Sequence, residues 1–211
     1  TKNYKKMTKK DYIDELFDNK PVEMGVMLRP ELLQHPNIPK PLHGLAPRVI
    51  KGQDWWDETR QDAYASTNYH CLACGVHKTK AKYHQWLEAH EDYTFNLRTG
   101  EVKVKQIIPL CHSCHNFIHS GRLSVTAEKD KIIDILKHGF KILEDNNLDV
   151  SVATHIIAEQ IGFKHNSKVI DCGIPEDEMC NVWGEWHLVL DGEKYYSKFK
   201  DSEEWRKFYN N

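Results

Sequence analysis

The chain has 211 residues, of which 40% are hydrophobic and 28% charged, and its formal net charge is −2. This composition is typical of a globular protein of one or two domains, and it excludes a uniformly basic protein that binds nucleic acid through its overall charge. No apolar run approaches the roughly 20 residues of a membrane-spanning helix, and the first ten residues lack the apolar core of a secretion signal. We therefore expect an intracellular protein without a membrane partner.

The N-terminal region, which we place at residues 1–68, combines helices with a proline-rich stretch. A short helix is predicted over residues 8–18, where apolar side chains share one face after a capping Thr8. Residues 21–50 contain six prolines, which remove backbone donors and end helices, so we expect an extended arm or loop there. A further helix is predicted over residues 54–66.

Four cysteines follow as two CxxC pairs, Cys71 with Cys74 and Cys111 with Cys114, and 36 residues separate the pairs. In a reducing compartment, paired cysteines indicate metal ligands before disulfides. Two residues between cysteines let both thiolates reach one ion from a tight turn, and two such turns complete a tetrahedron. The spacing therefore predicts one structural zinc ion.

A second group of candidate ligands overlaps the cysteine-rich segment. His115 and His119 are four residues apart, so a helix places both on one face, within reach of a second metal ion. Upstream, His90 and Glu91 precede an alternating stretch over residues 101–106, which is typical of a strand. The predicted order is strand, turn, strand, zinc knuckle and helix.

The C-terminal region, residues 124–211, is predicted to be mainly helical and to contain a β-hairpin near its end. Helices are expected over residues 126–145 and from a capping Ser151 to Gly162. The pattern over residues 186–199 predicts a hairpin that turns at Asp191-Gly192, and a last helix is predicted over residues 201–209. Target binding, dimerisation and docking on another protein remain open for this region, as does the oligomeric state.

The segment from Cys71 to Arg122, about a quarter of the chain, resembles the HNH endonucleases, whose fold is the ββα-metal motif. The stretch Glu88-Ala-His90-Glu91-Asp is similar to the family's first-strand motif. The stretch Cys114-His115-Asn-Phe-Ile-His119-Ser-Gly-Arg122 is similar to its helix motif. A zinc-stapled subgroup of the family has two CxxC pairs in the same places.

The resemblance implies an α+β protein with a ββα-metal core and its four-cysteine zinc knuckle over residues 69–123. It implies a metal-dependent endonuclease that hydrolyses phosphodiester bonds and leaves a 5′-phosphate and a 3′-hydroxyl. Mg²⁺ or Mn²⁺ would serve catalysis, with His90, His115 and His119 as its ligands. Double-stranded DNA is the expected partner, although the sequence does not separate DNA from RNA, and the expected setting is a bacterium or a phage-infected host cell.

The sequence departs from the family pattern at two positions. The family usually has a histidine as general base directly after the first-strand ligand, and Glu91 stands there in this chain. Two assignments stay open: Glu91 is the base, or His90 is the base while His115 and His119 hold the ion. Gln106 aligns with the second-strand asparagine and would orient the strand or the base.

Three basic residues, Lys103, Lys105 and Arg122, are expected to bind backbone phosphates, which a guanidinium does with two hydrogen bonds. The alternative function is a zinc-containing module that binds nucleic acid or a partner protein and whose catalytic site has decayed. Glu91 in place of the expected histidine favours this alternative. A metal ion at His115 and His119 would argue against it.

Overall fold

The computed structural model describes residues 27–170 and 176–209, in which the chain folds as an α+β protein with a four-stranded sheet. The predicted helix over residues 8–18 lies outside the described residues. The strands are β1 (Glu88–Asn96), β2 (Glu101–Leu110), β3 (His187–Leu190) and β4 (Glu193–Tyr196). The α-helices are α1 (Pro47–Lys51), α2 (Gln53–Ser66), α3 (His112–Ile118), α4 (Ser120–Thr126), α5 (Lys129–Asp145), α6 (Val152–Gln160) and α7 (Ser202–Tyr209).

The sheet has the strand order β1-β2-β3-β4. β1 and β2 form an antiparallel pair around the turn that contains Gly100, whose φ of 69° suits glycine. β3 and β4 form the predicted hairpin, and Asp191 and Gly192 both adopt positive φ, as a two-residue turn between twisted strands requires. β3 pairs with β2 in parallel, so the hairpin extends the β1–β2 sheet.

The described part of the proline-rich stretch is more structured than the extended arm predicted from the sequence. It forms two 3₁₀ turns, Pro30–Gln34 and Lys40–Leu42, followed by α1. Each of these elements has a proline in its first two positions, where the missing N–H has no helical partner to lose. Leu32 and Leu33 of the first turn are fully buried in the main core.

The main core places α3 against α5. Phe117 of α3 is 0% exposed, and its ring meets Phe140 of α5 edge to face at a centroid distance of 5.4 Å. Gly139 lies in α5 opposite Phe117 and permits this close approach. This packing fixes the helix that carries His112 and His115 and that ends directly before His119.

The helices predicted after the cysteine-rich segment are present. α5 corresponds to the helix predicted over residues 126–145, and α6 begins after Ser151, whose hydroxyl accepts a hydrogen bond from the Thr154 N–H at 3.3 Å. α7 corresponds to the last predicted helix. Among the described residues, the structure contains no helix with the length and apolar character needed to cross a bilayer.

Candidate metal centres

The four cysteines of the two CxxC pairs come together as predicted, with their sulfur atoms all within 4.8 Å of one another. The sulfurs of Cys74 and Cys111 are 3.8 Å apart. Thiolates about 2.3 Å from a tetrahedral zinc ion lie about 3.8 Å from one another, so the described geometry fits such an ion. The turn at Gly75, with a φ of 76°, closes the first pair.

The chemistry of the cysteine group also favours the binding of a cation. Hydrogen bonds from Cys114 and the other thiols lower the pKa of Cys111, whereas the hydrogen bond with Cys111 raises the pKa of Cys74. Four sulfurs this close repel one another as thiolates, and a bound dication removes that repulsion. His138 Nε2 lies 3.3 Å from Cys114 Sγ, where its N–H can donate to the thiolate.

A second group consists of His90 on β1, His115 on α3 and His119 directly after α3. Each offers a ring nitrogen within 4.8 Å of the others. The ring centroids are 5.4 Å apart for His90 and His115, 5.1 Å for His90 and His119, and 4.7 Å for His115 and His119. The structure therefore brings together the three histidines predicted as ligands of a catalytic ion.

The protonation states of this group suit metal binding. Burial, with the neighbouring His115 and His119, holds the pKa of His90 well below its usual range. Burial followed by the charges of His115 and Arg122 lowers the pKa of His119 to about 4. Both rings are therefore neutral near pH 7, the state that binds metal ions.

The His90 ring has one nitrogen free for an ion. Its Nε2 faces Nδ1 of His35 at 3.4 Å, whereas its Nδ1 is buried and has no hydrogen-bond partner among the described residues. Buried polar atoms in native proteins are rarely left without a partner. A metal ion in the three-histidine group would supply one.

His35 is itself held by a buried carboxylate. Asp92, which is 1% exposed, accepts from His35 Nε2 at 3.3 Å and from the Arg29 guanidinium at 2.7 Å. Gln106 donates to the same carboxylate at 3.3 Å, across the strand pair where the register shifts at a bulge. Although burial would raise the pKa of Asp92, His35 and Arg29 hold it well below its usual range.

Glu88 binds two histidines in the first turn of α3. One carboxylate oxygen accepts from His112 Nδ1 at 2.6 Å, and the other accepts from His115 Nδ1 at 2.5 Å. Burial would raise the pKa of Glu88, but His115 and His112 outweigh it and lower the pKa to about 2. The bond to Glu88 fixes the tautomer of His115 and leaves its Nε2 for an ion.

The remaining predicted site residues lie around this cluster. Burial raises the pKa of Glu91, although the charges of His115 and Arg48 act to lower it. Lys105 on β2 and Arg122 on α4 are exposed. The charge of Lys105 contributes to the lowered pKa of Asp92, and the charge of Arg122 contributes to the lowered pKa of His119. Lys103 is also exposed on β2, on the same side of the strand as Lys105 by alternation.

Sequence reasoning missed several residues that the structure adds to the site, namely Arg29, His35, Glu88, Asp92 and His112. A signal for two of them was present, because Glu88 and Asp92 flank His90 at a spacing of two and must share its face of β1. Comparison with models of protein families, with curated proteins and with solved structures finds no match to this chain.

Proposed function

We propose that the protein is an HNH-type, metal-dependent endonuclease that hydrolyses phosphodiester bonds in DNA. The observation that carries the proposal is the three-histidine group. It combines one candidate ligand from the first strand of an antiparallel pair, one from α3 and one from the residue directly after α3. This order of strand, strand and helix, with Cys111 and Cys114 at the start of the helix, supports the proposal because it is the order expected of a ββα-metal motif.

The residues present fit a divalent ion, because three imidazoles converge with their ring nitrogens within 4.8 Å of one another. When bound, the ion would polarise the scissile phosphate and stabilise the leaving oxygen. His90, His115 and His119 would hold it. Glu88 orients His115, and Asp92 orients His90 through His35, as carboxylates behind metal-binding histidines generally do.

With His90 assigned as a ligand, Glu91 takes the role of general base. It occupies the position at which the family has its catalytic histidine, and its raised pKa makes its carboxylate a stronger proton acceptor than an exposed glutamate. Gln106 donates its side-chain hydrogen bond to Asp92, so its role is to support the His35 and His90 side of the site.

Nucleic acid is the proposed substrate because the exposed cations Arg122 and Lys105 lie near the cluster in a chain that is weakly acidic as a whole, and the family resemblance implies DNA. Arg122 follows the histidines by one helical turn, and Lys105 lies on the strand that pairs with β1. These cations would hold the phosphates on either side of the scissile bond. The cleavage products would carry a 5′-phosphate and a 3′-hydroxyl.

The test is incubation of the purified full chain with supercoiled plasmid, linear duplex, single-stranded DNA and RNA in Mg²⁺ or Mn²⁺, with and without EDTA. We expect metal-dependent nicking of plasmid and ends that DNA ligase can reseal. A preparation of His90→Ala made in parallel controls for a contaminating nuclease. Retained nucleic-acid binding without cleavage of any substrate would instead support the decayed binding module.

A further inference from the structure

A third cluster of metal-binding side chains lies beside the three-histidine group. His84 precedes β1, Glu88 begins β1 and His112 begins α3. Each offers a ring nitrogen or a carboxylate oxygen within 4.8 Å of the other two. Neither the zinc knuckle nor the proposed nuclease mechanism uses His84 or requires an ion here.

The geometry of this cluster is compact. The His84 and His112 rings meet edge to face at a centroid distance of 4.4 Å, and Glu88 accepts from His112 at 2.6 Å. His84 also stacks on Trp86 at 4.1 Å with an interplanar angle of 8°. The stacking restricts the ring, so that less conformational entropy is lost when it binds an ion.

The neighbouring backbone holds these side chains in place. Tyr83, directly before His84, has a φ of 74°, which is a strained conformation for a tyrosine. Its hydroxyl donates to Asp134 of α5 at 2.6 Å and anchors the loop. On the other side, His112 follows Cys111, so the zinc knuckle fixes its position.

We infer that His84, Glu88 and His112 bind a further divalent ion of the first transition row. Two imidazoles and one carboxylate, with coordination positions left open, are typical of Zn²⁺, Fe²⁺ and Co²⁺ sites. Glu88 also accepts from His115 of the three-histidine group, so occupancy of one group affects the other through a shared carboxylate. This inference concerns metal binding and does not depend on nuclease activity.

The test is equilibrium dialysis of the full chain against buffered Zn²⁺, followed by elemental analysis of bound zinc per chain. We expect three zinc ions for the wild type, one for each of the three groups. His84→Ala should bind two, His119→Ala should bind two, and the double variant should bind only the zinc of the four cysteines. Circular dichroism checks that each variant is folded.

The matched control is His155→Ala on α6, because His155 is also half-buried and hydrogen-bonded but belongs to none of the three groups. It should retain three ions. Glu88→Gln provides a second test, since it keeps the side-chain shape but removes the carboxylate; it should lose the ion at His84 and, because Glu88 also orients His115, weaken binding by the three-histidine group. A wild type that binds two ions, or a folded His84→Ala that still binds three, overturns the inference. Neither result tests the nuclease proposal. A wild type that binds three ions but cleaves no nucleic acid would refute the nuclease proposal and leave the present inference standing.

Discussion

Gly139→Ala tests whether the packing of α5 on α3 positions the histidine cluster. A Cβ atom at residue 139 would lie 2.1 Å from Cδ2 and 2.3 Å from Cγ of Phe117. Carbon atoms in contact are about 3.5–4.0 Å apart, so the helices or the Phe117 ring must move by about 1.5 Å. Phe117 is fully buried, and the core around it leaves little room for such a movement.

Overpacking of this kind lowers the free energy of unfolding by about 1–3 kcal/mol and occasionally more. Replacing a helical glycine with alanine raises it by about 1 kcal/mol, because alanine has the higher helix propensity. Since the overlap here is severe, we expect the free energy of unfolding to fall by about 2 kcal/mol, a decrease in Tm of about 4–8 °C. Displacement of α3 should also weaken metal binding by the histidines.

Thermal and urea unfolding of the zinc-loaded protein measure the stability loss. The control is Gly121→Ala on α4, where a new Cβ meets no atom within 4 Å and should leave stability unchanged or raise it by up to about 1 kcal/mol. A Gly139→Ala variant as stable as Gly121→Ala would show that α3 and α5 do not pack as described.

Three other substitutions separate the roles of the site residues. Cys71→Ser should abolish zinc binding by the four cysteines and unfold the cysteine-rich core, because structural zinc supplies about 10–16 kcal/mol in small zinc peptides; a variant that stays folded by circular dichroism and binds as many zinc ions as the wild type by elemental analysis would refute the four-cysteine site. Glu91→Gln should lower the plasmid-cleavage rate by about 10²–10⁴-fold with metal binding unchanged, and unaltered cleavage would remove Glu91 as the base. Asp92→Asn should weaken Mn²⁺ binding by about 10–100-fold in calorimetry, and wild-type affinity would show that Asp92 does not support His90.

The sequence was sufficient for those parts of the site that depend on local spacing. The CxxC pairs predicted the cysteine group, and the spacing of His115 and His119 predicted their common face. Contacts between distant segments left no such pattern. His35 is 55 residues from His90, in a proline-rich stretch whose 3₁₀ turns depend on burial of Leu32 and Leu33 in the core.

The same limit applies to the sheet. The Asp191-Gly192 turn predicted the β3–β4 hairpin from local chemistry. The parallel pairing of His187 with Glu101 depends on side chains from two separate regions meeting in the folded core, and neither strand's own pattern specifies it. The division of the chain into three regions, with boundaries after residues 68 and 123, remains a prediction.

The proposed function requires that the three-histidine group holds the ion that cleaves DNA. The most direct measurement is the rate of plasmid nicking across a Mn²⁺ series for the wild type, His119→Ala and the control His155→Ala, with the fold of each verified. We expect His155→Ala to match the wild type and His119→Ala not to nick at any Mn²⁺ concentration at which it stays folded. Nicking by His119→Ala at the wild-type rate and the wild-type Mn²⁺ dependence would contradict the proposed function.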